Sequence, residues 1–166
     1  LYTLNMRRLA SIAYPFRFLD ELSKAFADRT WVSLVRWNGR AVAGLVTFLF
    51  RDRVMPYFFG CTAEARRCSA ANFIYFKTME RAVAAGYRIF DFGRSRRDNA
   101  GSYDFKRFHG FEPTPLEYQR FVAAGASAPD LSPNSARFRF ARRVWPFLPL
   151  RLTQIVGGYL SRHIPG

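Results

Sequence analysis

Three runs of β-favouring residues, joined by two very short connections, constrain the fold of this chain more than any other feature. The first run, Trp31–Trp37, alternates along its length and ends at Asn38-Gly39, the strongest short signal for a two-residue hairpin. The run Arg40–Phe50 should therefore return antiparallel beside it. Arg51-Asp52-Arg53 makes a second tight connection before the run Val54–Gly60. We predict three consecutive antiparallel strands.

Helical patterns lie on both sides of these strands. Pro15 is suited to open a helix that continues to about Ala27. After a polar loop, Ser69 can cap another helix, and Gly86 ends it. The apolar side of this second helix is predicted to consist of Asn72, Tyr75, Phe76, Met79, Ala82 and Val83.

The segment after Gly86 supplies the remaining elements. Arg88–Phe92 is a buried-strand run that follows a helix, which favours a parallel neighbour in the same sheet. A short helical turn is expected at Ser102–Phe108 and a further strand at Leu116–Val122. The order ααβββ-αβ-αβ predicts an α/β (α+β) fold with a mixed, mostly antiparallel sheet flanked by helices.

A polar, glycine-spaced loop comes directly after the Arg88–Phe92 strand, and chemistry often lies at such junctions. Its polar side chains, together with those of the helical turn that follows, are Arg94, Ser95, Arg96, Arg97, Asp98, Ser102 and Lys106. Lys106 is one of three lysines beside 23 arginines, so a general preference for arginine did not select it. The alternative is that its ammonium group is simply solvated.

The net charge of +14 would attract an anionic partner, such as nucleic acid, anionic lipid headgroups or a phosphorylated carrier. No nucleic-acid-binding motif is visible, and an arginine-rich composition can also reflect genome base composition. Cys61 and Cys68 have no histidine near them, so we predict free thiols and no metal site.

The sequence contains neither an apolar run long enough to span a bilayer nor a signal peptide, which favours a cytoplasmic domain. At 166 residues it can bury one sizeable core. It begins with Leu1 rather than Met, and we therefore expect a further N-terminal part.

The C-terminal region divides into a linker and a basic tail. Residues 123–133 are small and punctuated by proline, whereas residues 134–166 are rich in arginine. One face of a helix in this tail is predicted to consist of Leu148, Leu152, Ile155, Val156, Tyr159 and Leu160. Such a face can dock on protein or lie on a membrane surface, and the pattern alone does not distinguish the two.

Three short motifs carry a family resemblance: Phe90-Asp91-Phe92-Gly93, then Gly101-Ser102-Tyr103-Asp104-Phe105-Lys106, then Phe108-His109-Gly110-Phe111. In this order they resemble the signature of FemAB-like acyltransferases, a branch of the GNAT superfamily. The chain looks most like the FemAB-related proteins of PEP-CTERM/exosortase systems, whose domain is also described as a BioF-two-like acetyltransferase domain. The likeness covers residues 1–122, and it is to the second of the two GNAT-like halves that such proteins typically hold.

The resemblance implies a GNAT-like domain over residues 1–122 and an acyl or aminoacyl transfer to an amine or hydroxyl of a phosphorylated or lipid-linked saccharide. This activity would serve envelope or exopolysaccharide assembly at the inner face of the membrane. Lys106 and Phe105 match a Phe-Lys pair that the family uses near its substrate. Asp91 could orient a donor or accept a proton, or could simply fix a turn. The further residues that we expect to bind substrate are Arg94, Ser95, Ser102, Tyr103, Arg66 and Arg67.

The loop at residues 61–70 contains no glycine, although ordinary GNAT enzymes hold the pyrophosphate of acetyl-CoA with a glycine-spaced loop. We therefore expect no cofactor in this half and a donor, aminoacyl-tRNA or acyl-CoA, bound by an N-terminal half. The expected partners are that half, an anionic acceptor, tRNA and an anionic membrane surface. The alternative function is a non-catalytic GNAT-like half that holds an acceptor or partner.

Overall fold

A computed structural model describes residues 1–96, 99–119, 121–123, 125 and 136–161, without the side chains of residues 136–138. The chain forms two compact units, Leu1–Gly93 with Phe140–Gly166 and Arg94–Arg139. The predicted linker at residues 123–133 lies almost entirely outside the described residues, and the predicted division at residue 122 stays a prediction.

A four-stranded mixed sheet is the centre of the first unit. Its strands are β1 (Thr30–Trp37), β2 (Arg40–Phe50), β3 (Arg53–Cys61) and β4 (Ile89–Phe90), and they lie side by side in that order. The first three pair antiparallel, and β4 pairs parallel to β3. The predicted mixed sheet is therefore confirmed, although β4 is shorter than expected.

Both short connections have the backbone geometry that their residues favour. Asn38 and Gly39 adopt φ values of 49° and 77°, the left-handed pair that a tight hairpin turn requires. In the second connection Arg51 also has a positive φ, 54°. The β2–β3 register shifts between Val46 and Thr47, which leaves Tyr57 as an extra residue on β3. This is a β-bulge, and it bends the strand.

Two helices, α1 (Tyr2–Arg8) and α2 (Phe16–Ala25), precede the sheet, and Pro15 is the N-cap of α2 as predicted. Helix α1 packs closely on β3, where the buried Asn5 donates from Nδ2 to the carbonyl oxygen of Phe59 at 3.4 Å. Cys61 Sγ in turn lies 3.5 Å from Asn5 Oδ1, and its thiol is free. These contacts fix the start of the chain against the strand.

Helix α3 (Ala70–Ala84) packs on the sheet through a different face from the one predicted. Its buried residues recur every four positions and are Ala70, Ile74, Thr78 and Ala82. Phe76 and Val83, which the pattern assigned to the buried side, are exposed. Of the predicted face only Ala82 is among the buried residues. The remainder was wrong because most of the buried residues are small and let the helix approach the strands closely, so the largest apolar side chains were a poor guide.

The C-terminal end of α3 agrees with the sequence prediction, whereas the N-terminal end does not. Gly86 has a φ of 79° just after the helix, as a C-terminal stop requires. Ser69 precedes the helix but adopts a left-handed conformation, with a φ of 49°, and its side chain makes no capping hydrogen bond. The predicted cap is therefore wrong, because the left-handed backbone is not the extended conformation of a capping residue.

In the second unit, α4 (Ala100–Phe108) extends the predicted helical turn by two residues at its start. Asn99 caps it, since its Oδ1 accepts from the Ser102 backbone N–H at 3.3 Å. The strand expected at Leu116–Val122 is not formed by the described residues of that range. The side chains of Leu116, Tyr118 and Phe121 are exposed, so this apolar run is not covered by a neighbouring strand.

The tail contains two helices, α5 (Ala136–Val144) and α6 (Leu150–Leu160), which confirms its helical nature. Within the described residues, no helix is long and apolar enough to cross a membrane.

Candidate functional site

Strands β3 and β4 stay together for only two residue pairs, Arg53 with Ile89 and Val54 with Phe90. One further backbone bond follows, from Asp91 N to Val54 O at 2.9 Å. Strand β3 then continues to Cys61 without a neighbouring strand on that side among the described residues. The bulge at Tyr57 lies on this unpaired length. Bulges are frequent beside active sites because they re-aim side chains and free backbone groups.

Aromatic rings connect the two diverging segments through α3. The Tyr75 ring lies 5.7 Å from that of Phe59 on β3 and is stacked at 5.3 Å on that of Phe92, which follows β4. Burial raises the pKa of Tyr75 to about 12. Its hydroxyl therefore keeps its proton near neutral pH and can donate a hydrogen bond.

The Asp91 side chain fixes the backbone where β4 ends. Its Oδ1 accepts from the Gly93 backbone N–H at 2.8 Å, and its Oδ2 lies 3.6 Å from Arg53 Nη1. Gly93 has a φ of 64°, so this tight turn depends on glycine. The geometry is that of a turn-fixing aspartate, and a role for Asp91 in proton transfer stays a prediction.

In the second unit, α4 is joined to the loop before it by two of its predicted site residues. Lys106 Nζ donates to the backbone oxygen of Arg94 at 3.1 Å, and the hydroxyls of Ser102 and Ser95 lie 3.4 Å apart. Ser102 and Lys106 are four residues apart and so share a face of the helix. The structure therefore brings Arg94, Ser95, Ser102 and Lys106 together.

Phe105 and Tyr103 flank the face of α4 that carries Ser102 and Lys106, since successive residues of a helix are about 100° apart. The Phe105 ring is 4.6 Å from that of His109, whose Nδ1 lies 2.8 Å from the Phe105 carbonyl oxygen. Donation to that carbonyl satisfies the helix end, which agrees with a turn-shaping His109. The guanidinium group of Arg107 lies over the face of the Tyr103 ring, with its central carbon 5.8 Å from the ring centroid.

Arg66 and Arg67 lie in the first unit, in the connection between β3 and α3, and both side chains are exposed. Arg67 lines an open cleft of about 480 Å³ together with Trp37, Asn38, Arg40 and Glu64. Its lining thus combines two guanidinium groups with one carboxylate and an indole ring.

Helix α3 begins differently from a phosphate-binding helix. Its first residue, Ala70, is completely buried in a cluster with Val42, Ala43, Cys61 and Ala65. The first residue of the helix is therefore closed to an anion, whereas Asn72 and Phe73 in the first turn are exposed.

Four residues of these sites were not selected from the sequence: Trp37, Arg40, Glu64 and Tyr57. The Asn38-Gly39 turn was a usable signal for the first two, because a two-residue hairpin places its flanking residues side by side. Glu64 and the bulge at Tyr57 depend on long-range packing and register, for which the sequence gives no local signal.

Similarity to known proteins agrees with this architecture. Residues 3–107 match the family model described as acetyltransferase (GNAT) domain. The match covers more than half of the chain, so the chain belongs to the GNAT acetyltransferase family. It is thus an acyltransferase domain, and its fold is the GNAT fold. No curated protein sequence matches it.

Solved structures with a similar fold include an aminoglycoside acetyltransferase from an uncultured soil metagenomic sample, in complex with sisomicin. This structure gives a TM-score of 0.51 at 13% identity and covers 62% of this chain and 73% of that chain. The same enzyme in complex with trehalose gives a TM-score of 0.50 at 13% identity with the same coverage. At this identity the likeness shows the fold alone.

Proposed function

We propose that this domain belongs to a FemAB-like acyltransferase that transfers an acyl or aminoacyl group to an amine or hydroxyl of a phosphorylated or lipid-linked saccharide. The observation that carries the proposal is the cluster at the start of the second unit. There Lys106 and the Arg94 backbone lie together beside the pair Ser95 and Ser102. A lysine and two hydroxyls at one helix face supply a positive charge and hydrogen-bond donors for an anion.

Each residue has a separate task in this proposal. The Lys106 ammonium group stabilises the oxyanion that develops when the acceptor attacks the carbonyl, or it binds an acceptor phosphate. Arg94, Ser95, Ser102 and Tyr103 hold the acceptor, and the Phe105 ring flanks the reacting centre. Asp91 orients the backbone that leads into this segment, since it binds the Gly93 N–H.

The donor is proposed to be aminoacyl-tRNA or acyl-CoA, held by a further GNAT-like half. The glycine-free loop before α3 supports this assignment, because the pyrophosphate loop of ordinary GNAT enzymes is glycine-spaced, and the burial of Ala70 closes the first residue of the helix to an anion. The exposed Arg66 and Arg67 are then available to an anionic acceptor or to tRNA. We place this reaction at the cytoplasmic face of the membrane, in envelope or exopolysaccharide assembly.

Calorimetric titration of this chain with acetyl-CoA tests the donor assignment. We expect only weak association that disappears as salt is raised, because scattered arginines screen easily. A saturable complex with a dissociation constant of about 1 µM or lower, stable at moderate salt, would contradict it. Titration with aminoacyl-tRNA, and mass spectrometry of the acylated acceptor formed by the longer protein, then identify the donor.

A further inference from the structure

Helix α6 docks on its own unit through its smallest residues, and this orientation is unusual for an amphipathic helix. Thr153 and Gly157 are the buried positions of the helix. A Cβ atom at Gly157 would lie 3.2 Å from the carbonyl oxygen of Ala13, which is tighter than an ordinary contact, so glycine favours this close approach. The docking face is therefore Thr153 and Gly157, and not the apolar stripe that the sequence pattern indicates.

Two hydrogen bonds to the preceding turn hold the helix in this orientation. Arg7 Nη1 donates to the carbonyl oxygen of Leu148 at 3.0 Å, and Trp145 Nε1 donates to that of Ser11, also at 3.0 Å. Among the large apolar side chains of α6, Leu150 and Val156 are half-buried, whereas Leu152, Ile155 and Tyr159 are exposed.

The outward side carries large apolar side chains at positions i, i+3 and i+7 of the helix. Ile155 is 72% exposed and Tyr159 65%, and Leu152 lies on the same side with 42% exposed. Phe147, just before the helix, is 85% exposed. We call these four residues the tail surface. A cluster of exposed apolar side chains of this kind usually marks an interaction site.

The charged side chains of the tail itself are of one sign. Residues 140–161 contain Arg142, Arg143 and Arg151 and neither aspartate nor glutamate. Arg143 and Arg151 are exposed. Apolar side chains on one side and arginines near them are the combination that an interfacial helix presents to anionic lipid headgroups.

We propose that the tail surface binds an anionic lipid bilayer, with Ile155, Tyr159, Leu152 and Phe147 entering the headgroup region and the arginines pairing with lipid phosphates. The helix lies in the plane of the surface and anchors the domain from one side. This inference is independent of the reaction that the domain catalyses, because it depends only on the tail. It gives the net positive charge a specific partner.

Binding to vesicles tests the proposal directly. The chain should co-sediment with vesicles of equal parts phosphatidylglycerol and phosphatidylcholine and not with phosphatidylcholine alone. Ile155→Gln should weaken this binding about tenfold, because it removes one inserted apolar side chain. Ile155→Leu should retain it. Arg151→Gln and Arg143→Gln should each weaken it about fivefold.

Two matched variants separate a specific surface from diffuse attraction. Val83 on α3 is 76% exposed, so Val83→Gln makes the same kind of change far from the tail in sequence. Arg29→Gln removes an exposed arginine outside the tail. Neither should reduce binding more than twofold. Equal losses in Val83→Gln and Ile155→Gln, or in Arg29→Gln and Arg151→Gln, would overturn the proposal.

Folding and self-association are measured on the same samples. Thermal melting should give similar midpoints for all variants, since the changed side chains are exposed. If the chain sediments as a dimer without lipid and Ile155→Gln converts it to a monomer, a second copy covers the tail surface and the proposal is wrong. Absence of binding to the anionic vesicles by the unmodified chain also refutes it.

Discussion

At the residue scale, the buried hydroxyl of Thr47 is a stability defect in the sheet. Thr47 is completely buried on β2, and its Oγ1 has no hydrogen-bond partner among the described residues. A buried hydroxyl without a partner has lost its bonds to water and gained none in return. Thr47 lies directly beside the register shift of β2 and β3.

Thr47→Val should therefore stabilise the protein. The substitution keeps the shape and replaces the hydroxyl with a methyl group, so we expect the free energy of unfolding to rise by about 1 kcal/mol. Thr78→Val is the matched control, because the equally buried Thr78 donates from Oγ1 to the Ile74 carbonyl at 2.7 Å. Chemical denaturation should show a gain in the first variant and none in the second. A loss in Thr47→Val would mean that its hydroxyl is satisfied.

The raised pKa of Tyr75 predicts how stability depends on alkaline pH. The folded-state pKa is about 12 against an ordinary value of 10.0, so the unfolded chain loses this proton first as pH rises. The contribution of the protonated Tyr75 side chain to the free energy of unfolding is fully present below about pH 10. It is lost progressively between about pH 10 and 12.

Tyr75→Phe should flatten this part of the stability profile by about 2 kcal/mol, since phenylalanine does not titrate. Urea denaturation across this pH range measures the effect, with Tyr118→Phe, an exposed position, as control. If both variants lose stability with pH as steeply as the unmodified chain, Tyr75 is not the buried titrating group.

At the element scale, close backbone approach decides how α1 lies on the sheet. A Cβ atom at Gly60 of β3 would collide with the backbone of Leu1 and Tyr2. At Gly44 of β2 the nearest atoms would instead be the side-chain ends of Leu34 and Leu1, at 3.1 and 3.3 Å. Side-chain ends can move, whereas the backbone of a packed helix cannot move without loss of its contacts.

Gly60→Ala should therefore destabilise the protein by about 3 kcal/mol or release α1 from the sheet. Gly44→Ala should cost less than half as much. Thermal melting and hydrogen exchange of the α1 amides measure the two effects. Equal melting temperatures for the two variants would contradict the close approach of α1 and β3.

The difference between local signals and close packing through small residues explains how much of the fold the sequence could predict. The β1–β2–β3 meander, the helix after Pro15 and the stop at Gly86 follow from local signals in turn residues and periodicity, and each is present. The docking face of α3 was predicted correctly only at Ala82, and for α6 the sequence pattern did not distinguish a docking face from a membrane face. Both helices pack mainly through small residues, which carry no strong hydrophobic signal: Ala70, Thr78 and Ala82 in α3, and Thr153 and Gly157 in α6.

The candidate site was predicted in part for the same reason. Arg94, Ser95, Ser102 and Lys106 are close in sequence and are joined in the structure by local contacts. Asp91 was given two interpretations, and its bond to Gly93 agrees with the turn-fixing one. The arginine cleft beside Trp37 needs a hairpin and a distant loop to meet, which no local pattern indicates.

At the scale of the whole molecule, the candidate residues belong to both units. Asp91 lies near the end of the first unit, and Arg94, Ser95, Ser102 and Lys106 lie in the second. The chain passes from one unit to the other at Gly93 and Arg94, directly after β4. Among these residues Lys106 carries the positive charge that we propose for the oxyanion. Its removal therefore tests the proposed chemistry most sharply.

The most direct measurement is the initial rate of acyl transfer by Lys106→Ala, with the identified donor and acceptor. Loss of one charge at the developing oxyanion should lower turnover by about 10²- to 10³-fold. Lys106→Arg should restore it only in part, because guanidinium keeps the charge and changes its geometry. Phe105→Leu should be milder than Lys106→Ala, since it keeps apolar volume.

Lys77→Ala, which changes an exposed lysine on α3 paired with Glu80, is the matched control and should leave the rate unchanged. Thermal melting of each variant shows whether a lower rate comes from lost catalysis or from lost stability, since Lys106 also donates a hydrogen bond to the Arg94 backbone. A folded Lys106→Ala protein with a rate reduced at least a hundredfold beside an unaffected Lys77→Ala protein is the predicted result. A folded Lys106→Ala protein that turns over at the normal rate would contradict the proposed mechanism.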